Sequence, residues 1–333
     1  MTRDVVYVDG LRTAFGRAGP KGMFWRTRAD DMAVKVVREL LRRNPELPPE
    51  RIGDVVLAAT AQVGDQGLTL GRSVSLLAGI PESVPGLALD RMCAGALTAV
   101  TVGAGEIALG AADVVLAGGV EHMGHHPMAA EVDFNPRFVT ERLVDESAVT
   151  MGATAENLHD RFPHLTKADA DAFAVRSQQR AAAAWEDGVM RETADALGLE
   201  PRMRLVGYAF AGVEPELMGL GPIPATQRVL EQAGLTIDDV DLFELNEPFA
   251  VQVLTWCDGM GIDPEDDRLN PYGGAIACGH PLAATGGRLV AQLAYAMRER
   301  GARYGLTALC VGMGMGAAVL WENLSHSRPS DGA

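Results

Sequence analysis

The chain has 333 residues, 47% hydrophobic and 22% charged, with a formal net charge of −15. That composition suits a folded protein of one large or two average domains, and so acidic a surface opposes non-specific binding to nucleic acid or anionic lipid. No apolar run approaches the roughly 20 residues of a membrane span, and the opening MTRDVVYVDG carries charge where a signal peptide needs an apolar stretch, so a cytoplasmic location is expected.

Short apolar runs alternate with longer amphipathic stretches. Residues 5–8 predict a buried strand and 31–42 a helix. Strands follow at 55–59 and 86–89, a helix of small residues at 94–109, and a strand at 114–117. A more polar stretch, 124–188, contains a helical run at 167–185 and reads as an insertion on top of the sheet. The plan then repeats, with strands at 205–210, 242–245, 306–311 and 317–321 and helices at 221–233 and 281–298. The alternation predicts an α/β layered fold with a largely parallel sheet. In each half a strand enters a tight turn, then a small-residue helix, then a strand with a glycine-rich end. Asp90-Arg-Met-Cys-Ala-Gly-Ala leads to DVVLAGGVEHM, and Cys278-Gly-His-Pro-Leu-Ala-Ala leads to YGLTALCVGMG. This is an internal duplication that puts Cys93 and His280 in equivalent places. The halves divide as 1–190, with a loop domain over 124–190, and 191–324; the polar tail 325–333 is expected to be disordered.

The four cysteines, Cys93, Cys257, Cys278 and Cys310, form no C-x-x-C pair, which argues for free thiols in a reducing compartment and against a zinc ribbon. Cys93 opens the helix at 94–109, where the dipole and unpaired amides would lower its pKa. Position alone leaves an activated nucleophile and an inert buried thiol both open. His280 stands in a glycine-rich turn before Pro281, as a base, an oxyanion donor or a packing residue. Cys310 ends an apolar strand in LCVGMGMG, whose glycines could offer amides to an oxyanion; a dinucleotide loop is the weaker reading, since no βαβ unit follows. Asn246 and Glu247 lie at the carboxyl end of the strand 242–245 and face either the crevice or a helix cap. His122, His125 and His126 cluster without an obvious further ligand set, so a solvated or loop-packing role is expected.

Together these boxes resemble the thiolase family. Met92-Cys-Ala-Gly-Ala-Leu97 resembles its nucleophile box, Asn246-Glu-Pro-Phe-Ala250 its NEAF box, Gly273-Gly-Ala-Ile-Ala-Cys-Gly-His-Pro281 its GGAIALGHP box, and Cys310-Val-Gly-Met-Gly-Met-Gly316 its C-x-G-x-G box. EHMGHHPM followed by VDFNP is similar to the degradative 3-ketoacyl-CoA thiolases. The resemblance covers residues 4 to 323 and implies duplicated halves in five layers, α-β-α-β-α. It implies no permanently bound cofactor, coenzyme A and acyl-CoA as substrates, and a homodimer or homotetramer. By resemblance Cys93 is the nucleophile, His280 its activator with a water fixed by Asn246, Cys310 the acid and base, and the amides of Cys93 and Gly312 an oxyanion hole. The chain departs from the family in Asp90, where asparagine is usual, and in Gly95-Ala96, where serine is usual. Against the family pattern, a segment is also cut out after about residue 190. The GN-[SA]-SG-x-NDGAAA box is missing, so the first half should lack its last, edge strand and hold CoA esters weakly. The alternative is an impaired remnant that serves as an interaction protein. A condensing enzyme with a Cys-His-Asn or Cys-His-His set fits less well, because two cysteines are paired in the boxes.

Overall fold

Runs of valine, leucine and alanine form the strands, and helices cover both faces of the sheets, as parallel strands require. The computed structural model describes residues 3–130, 132–188 and 202–324. The first half holds β1 (Val6–Tyr7), α1 (Ala29–Arg43), β2 (Ile52–Ala58), α2 (Leu70–Ala78), β3 (Leu87–Leu89), α3 (Gly95–Leu109) and β4 (Val114–Gly119). The insertion carries α4 (Arg137–Thr140), α5 (Met151–Arg161) and α6 (Lys167–Glu186). The second half holds β5 (Met203–Gly212), α7 (Pro222–Ala233), β6 (Leu242–Leu245), α8 (Ala250–Met260), α9 (Ala275–Cys278), α10 (Thr285–Arg300), β7 (Tyr304–Val311) and β8 (Met315–Asn323). All the elements expected from the sequence occur, with shifted ends. Helix α8 was not legible, because its residues 251–257 are all buried and show no amphipathic period.

The layers are those expected. Val34 and Val37 of α1 and Leu70 and Val74 of α2 pack on Val55 and Leu57 of β2. Leu97 of α3 and Leu289 and Leu293 of α10 pack on the inner face of the second sheet. Val229 of α7 and Val253 and Trp256 of α8 cover its outer face. Helix α3 with its preceding turn, Met92–Leu109, is long and apolar enough to span a bilayer, contrary to the sequence expectation. It lies instead between two sheets, which need apolar residues on both sides of it.

Two sheets run through the molecule. One is parallel, β3-β2-β4; the other, β1-β5-β8-β7-β6, is mixed, with only β6 and β7 parallel, so the expected largely parallel arrangement holds for the first sheet alone. Strand β1 therefore does not join the first-half sheet. It pairs antiparallel with β5, Val6 opposite Arg204 and Tyr7 opposite Met203. The missing strand is not an edge strand either. Within the duplication β1, β2 and β4 match β5, β6 and β7, so the counterpart of β8 would lie between β4 and β1. Among the described residues β1 pairs with β5 alone. The junction at 189–201 and the tail at 325–333 lie outside the described residues.

Where α3 and α10 meet, glycine is compulsory. A Cβ on Gly286 would stand 2.6 Å from the amide nitrogen of Leu97, and one on Gly95 would stand 2.8 Å from the methyl carbons of Ala283 and Ala58. The family's serine near position 95 is thus replaced by a helix contact with no spare volume. Gly286→Ala is expected to destabilise the chain by about 1–3 kcal/mol through overpacking against backbone, read as a lower urea midpoint; an unchanged midpoint would show that the helices can part freely.

Candidate active site

Strand β3 ends at Leu89, and the chain turns sharply into α3 through a 3-10 turn, Met92–Ala94. Met92 is left-handed, with φ 44°. Its amide donates to the Asp90 carboxylate at 2.6 Å, which holds this strained residue in place and gives Asp90 a role where the family has asparagine. Cys93 follows, buried, and the backbone amides of Cys93 and Gly312 act on its sulfur. The turn packs against β7, which ends in Cys310 and Val311. Gly312 has no room for a side chain, since a Cβ there would meet Met92 Sδ at 2.7 Å.

The expected low pKa of Cys93 is not found. Burial outweighs the lowering effect of the nearby amides and pushes the thiol up to about 11. Cys310 is also raised, by burial and by the neighbouring Cys93 sulfur. Its Sγ–H donates to Gln252 Oε1 of α8 at 3.1 Å.

His280 lies five residues before α10, and a 3-10 turn, Leu282–Ala284, intervenes. That turn packs on the turn holding Cys93, so the structural counterpart of Cys93 is Ala283 rather than His280. The histidine stands one step earlier, on the loop. Its Nδ1 is 2.6 Å from Thr285 Oγ1, and its Nε2 is 3.3 Å from the amide nitrogen of Asn246. Asn246 thus meets the ring directly. A ring nitrogen facing an N–H donor must accept, which assigns the proton to Nδ1, donating to Thr285, and the lone pair to Nε2. Burial, reinforced by the Arg288 charge, lowers His280 to about 4, so the ring is neutral at ordinary pH. Asn246 Oδ1 is buried and has no partner.

Buried carboxylates hold this loop. Glu247 accepts from Ser177 Oγ at 2.6 Å, Asn270 Nδ2 at 2.7 Å and the Ile276 amide at 3.2 Å. It sits so closely over Gly274 that a Cβ there would come within 2.2 Å of its carboxyl carbon. Glu121 accepts from the amides of Thr60 and Ala283 and from Gln66 Nε2, which joins the first sheet to the turn after His280. Sequence reasoning missed Gln252, Thr285, Ser177 and Glu121 as supports. Only Thr285, close to His280 in sequence, offered any signal.

The histidine cluster fastens a loop. Asp65 bonds His125 Nδ1 at 2.9 Å and His126 Nε2 at 2.6 Å, and His122 Nε2 bonds the Phe24 carbonyl at 3.0 Å. Among the described residues no group of three acidic, histidine or cysteine side chains is placed to hold a metal.

The thiolase N-terminal domain family matches residues 5–194, and the thiolase C-terminal domain family matches residues 199–323. A 3-ketoacyl-CoA thiolase of Yersinia enterocolitica is 36% identical, covering 96% of this chain and 100% of the relative. A 3-oxoadipyl-CoA/3-oxo-5,6-dehydrosuberyl-CoA thiolase of Escherichia coli K12 is 35% identical, covering 97% and 100%. A 3-ketoacyl-CoA thiolase of Photorhabdus laumondii is 34% identical, covering 96% and 99%. The first alignment runs over 389 positions against a chain of 333 residues, so at least 56 positions of it face a gap in this chain. Two matching family domains over nearly the whole length, and relatives matched from end to end, show that the chain belongs to the thiolase family.

Proposed function

We propose that the chain is a thiolase-type acyltransferase, cleaving a 3-ketoacyl-CoA with coenzyme A to acetyl-CoA and a shortened acyl-CoA, or running the reverse condensation. The observation that carries this is the packing of the turn of Cys93 against β7, which ends in Cys310 and Val311, and against the turn that follows His280. Both thiols are free.

In the resting site Cys93 is a thiol and His280 a neutral base whose Nε2 lone pair faces the Asn246 side-chain amide. The substrate enters, and the Cys93 proton passes to His280. The thiolate attacks the 3-keto carbon, and the C2–C3 bond breaks. The departing C2 carbanion takes the proton of Cys310, so acetyl-CoA leaves and an acyl thioester remains on Cys93. The thiol of incoming CoA gives its proton back to Cys310 and attacks the thioester. Cys93 departs as thiolate and recovers its proton from His280. The amides aimed at the sulfur suit a thioester oxyanion. The open Oδ1 of Asn246 is a buried acceptor of the kind that a water or ligand satisfies. Coenzyme A is a substrate in this scheme, and no resident cofactor takes part. Assembly as a homodimer or homotetramer, a cytoplasmic location and weakened CoA binding belong to the same proposal.

Brief exposure to acetyl-CoA is expected to add one acetyl group at Cys93, located by peptide mass spectrometry; label on Cys257 or Cys278 would overturn the assignment. His280→Ala is expected to lower acetoacetyl-CoA thiolysis by about 10²- to 10⁴-fold and to leave the melting temperature nearly unchanged. Full activity in that variant would remove His280 as the base. Alkylation of the free enzyme at Cys93 by iodoacetamide should keep rising with pH toward 11, because the thiol is held high and His280, near 4, is too weak a base to take its proton in the resting site. A plateau near neutral pH would mean a resting thiolate.

A further inference from the structure

We propose that Gln252 is a positioning residue for the proton carrier Cys310: its amide accepts from the thiol and, turned end for end, donates to the thiolate. The inference deepens the acyl-transfer reading above and rests on it.

Gln252 stands in the first turn of α8, a helix whose residues 251–257 are all buried. It is 1% exposed, between Val251 and Val253. Its Oε1 accepts from Cys310 Sγ at 3.1 Å, and its Nε2 is buried without a partner. The amide thus makes one hydrogen bond, to a sulfur of the site, and holds a spare donor beside it. A glutamine that only filled space would be disfavoured against methionine or leucine, because burial strips both ends of the amide of water and returns a single bond to sulfur. The neutral thiol offers one proton, so the oxygen end faces it at rest.

The stem of this side chain is fixed and its head is not. A Cβ on Gly219 would stand 2.8 Å from Gln252 Cγ and 2.5 Å from Leu158 Cδ1. The glycine therefore lets the 3-10 turn Pro215–Leu220 lie against the stem and against α5. Rotation about the bond from Cγ to Cδ is soft and has two broad minima half a turn apart. No second hydrogen bond opposes it, since Nε2 has none to lose. Asn270 is the contrary case. Its Oδ1 accepts from the Leu245 amide, and its Nδ2 donates to the Leu245 carbonyl and to Glu247, which locks that amide at both ends.

When the C2 carbanion takes the proton of Cys310, the S–H bond breaks, a C2–H bond forms and the sulfur keeps the electron pair. The resulting thiolate is fully buried. An amide oxygen facing it repels, whereas an amide N–H facing it makes a charge-assisted bond. A half-turn of the head exchanges one for the other, and the incoming CoA thiol reverses the turn when it reprotonates Cys310. Burial and the Cys93 sulfur both raise Cys310, and the bond to Gln252 acts in the opposite direction.

The experiment separates proton transfer at carbon from acyl transfer at sulfur. Acetyl-CoA is given to the whole chain in two assays. One follows acetylation of Cys93 by peptide mass spectrometry, and the other follows exchange of the acetyl methyl protons in D2O by NMR. A CoA thiolate leaves without a proton, but a carbanion beside a thioester does not form without a base. Gln252→Met is therefore expected to slow methyl exchange and acetoacetyl-CoA thiolysis by about 10²-fold, through kcat with KM little changed, and to slow acetylation by less than about threefold. Should that variant not fold, Gln252→Asn, which keeps a primary amide but withdraws it by one methylene, is expected to show the same split. The infrared S–H band that Cys310→Ala removes should move to higher wavenumber in either variant. Full methyl exchange in a folded variant, equal slowing of acetylation and exchange, or an unmoved S–H band overturns the proposal. Absence of acetylation in the unaltered chain would remove the acyl-transfer reading, and this proposal with it.

Discussion

Two helices can begin within touching distance only if nothing larger than a methyl group stands between them. Gly95 against Ala283 and Ala58, and Gly286 against the Leu97 backbone, meet that condition. Gly119 at the end of β4 adds to it, since a Cβ there would lie 2.6 Å from the Ala283 carbonyl oxygen. The contact lets the turn holding Cys93 lie on the turn that follows His280. A single side chain inserted at this crossing would separate groups supplied by opposite halves of the chain.

The same burial sets the resting protonation. Removing a thiol and an imidazole from water favours the uncharged form of each, and here that effect exceeds the help of amides and helix starts. The site is therefore neutral until a substrate develops charge within it. Fixed amides then act on the charged species alone, which is the condition for differential stabilisation. Glu244 shows the same physics away from the sulfurs: burial pushes its carboxyl up to about 8 despite the nearby Arg288.

The boxes around Cys93, His280 and Cys310 were legible through their resemblance to the family, whereas position alone left their roles open. The alternation of strand and helix periods made the α/β class legible, and the resemblance supplied the five layers. The supporting bonds of Gln252 and Glu121 were not, since each meets its partner across more than fifty residues, even though Glu121 stands within a recognisable box. The rise in the Cys93 pKa was missed for a related reason: a helix start can be read locally, whereas depth of burial depends on the whole second half. Strand β1 was read correctly as a strand but placed in the wrong sheet. Two paired residues do not determine their neighbour, and a strand's partner depends on which other strands exist.

Glu247 ties together segments of quite different origin. It receives Ser177 from α6 of the insertion and the Ile276 amide from the histidine loop, while Ser177 itself accepts from the Gly274 amide at 3.2 Å. None of these groups can leave without stranding a buried carboxylate. The insertion and the loop should therefore open as one cooperative unit. In hydrogen exchange, the amides of Gly274 and Ile276 would share the protection of α6 rather than that of the surface turns on either side. Substrate-driven movement of the insertion would then reach the histidine loop mechanically, through the buried Glu247 carboxylate.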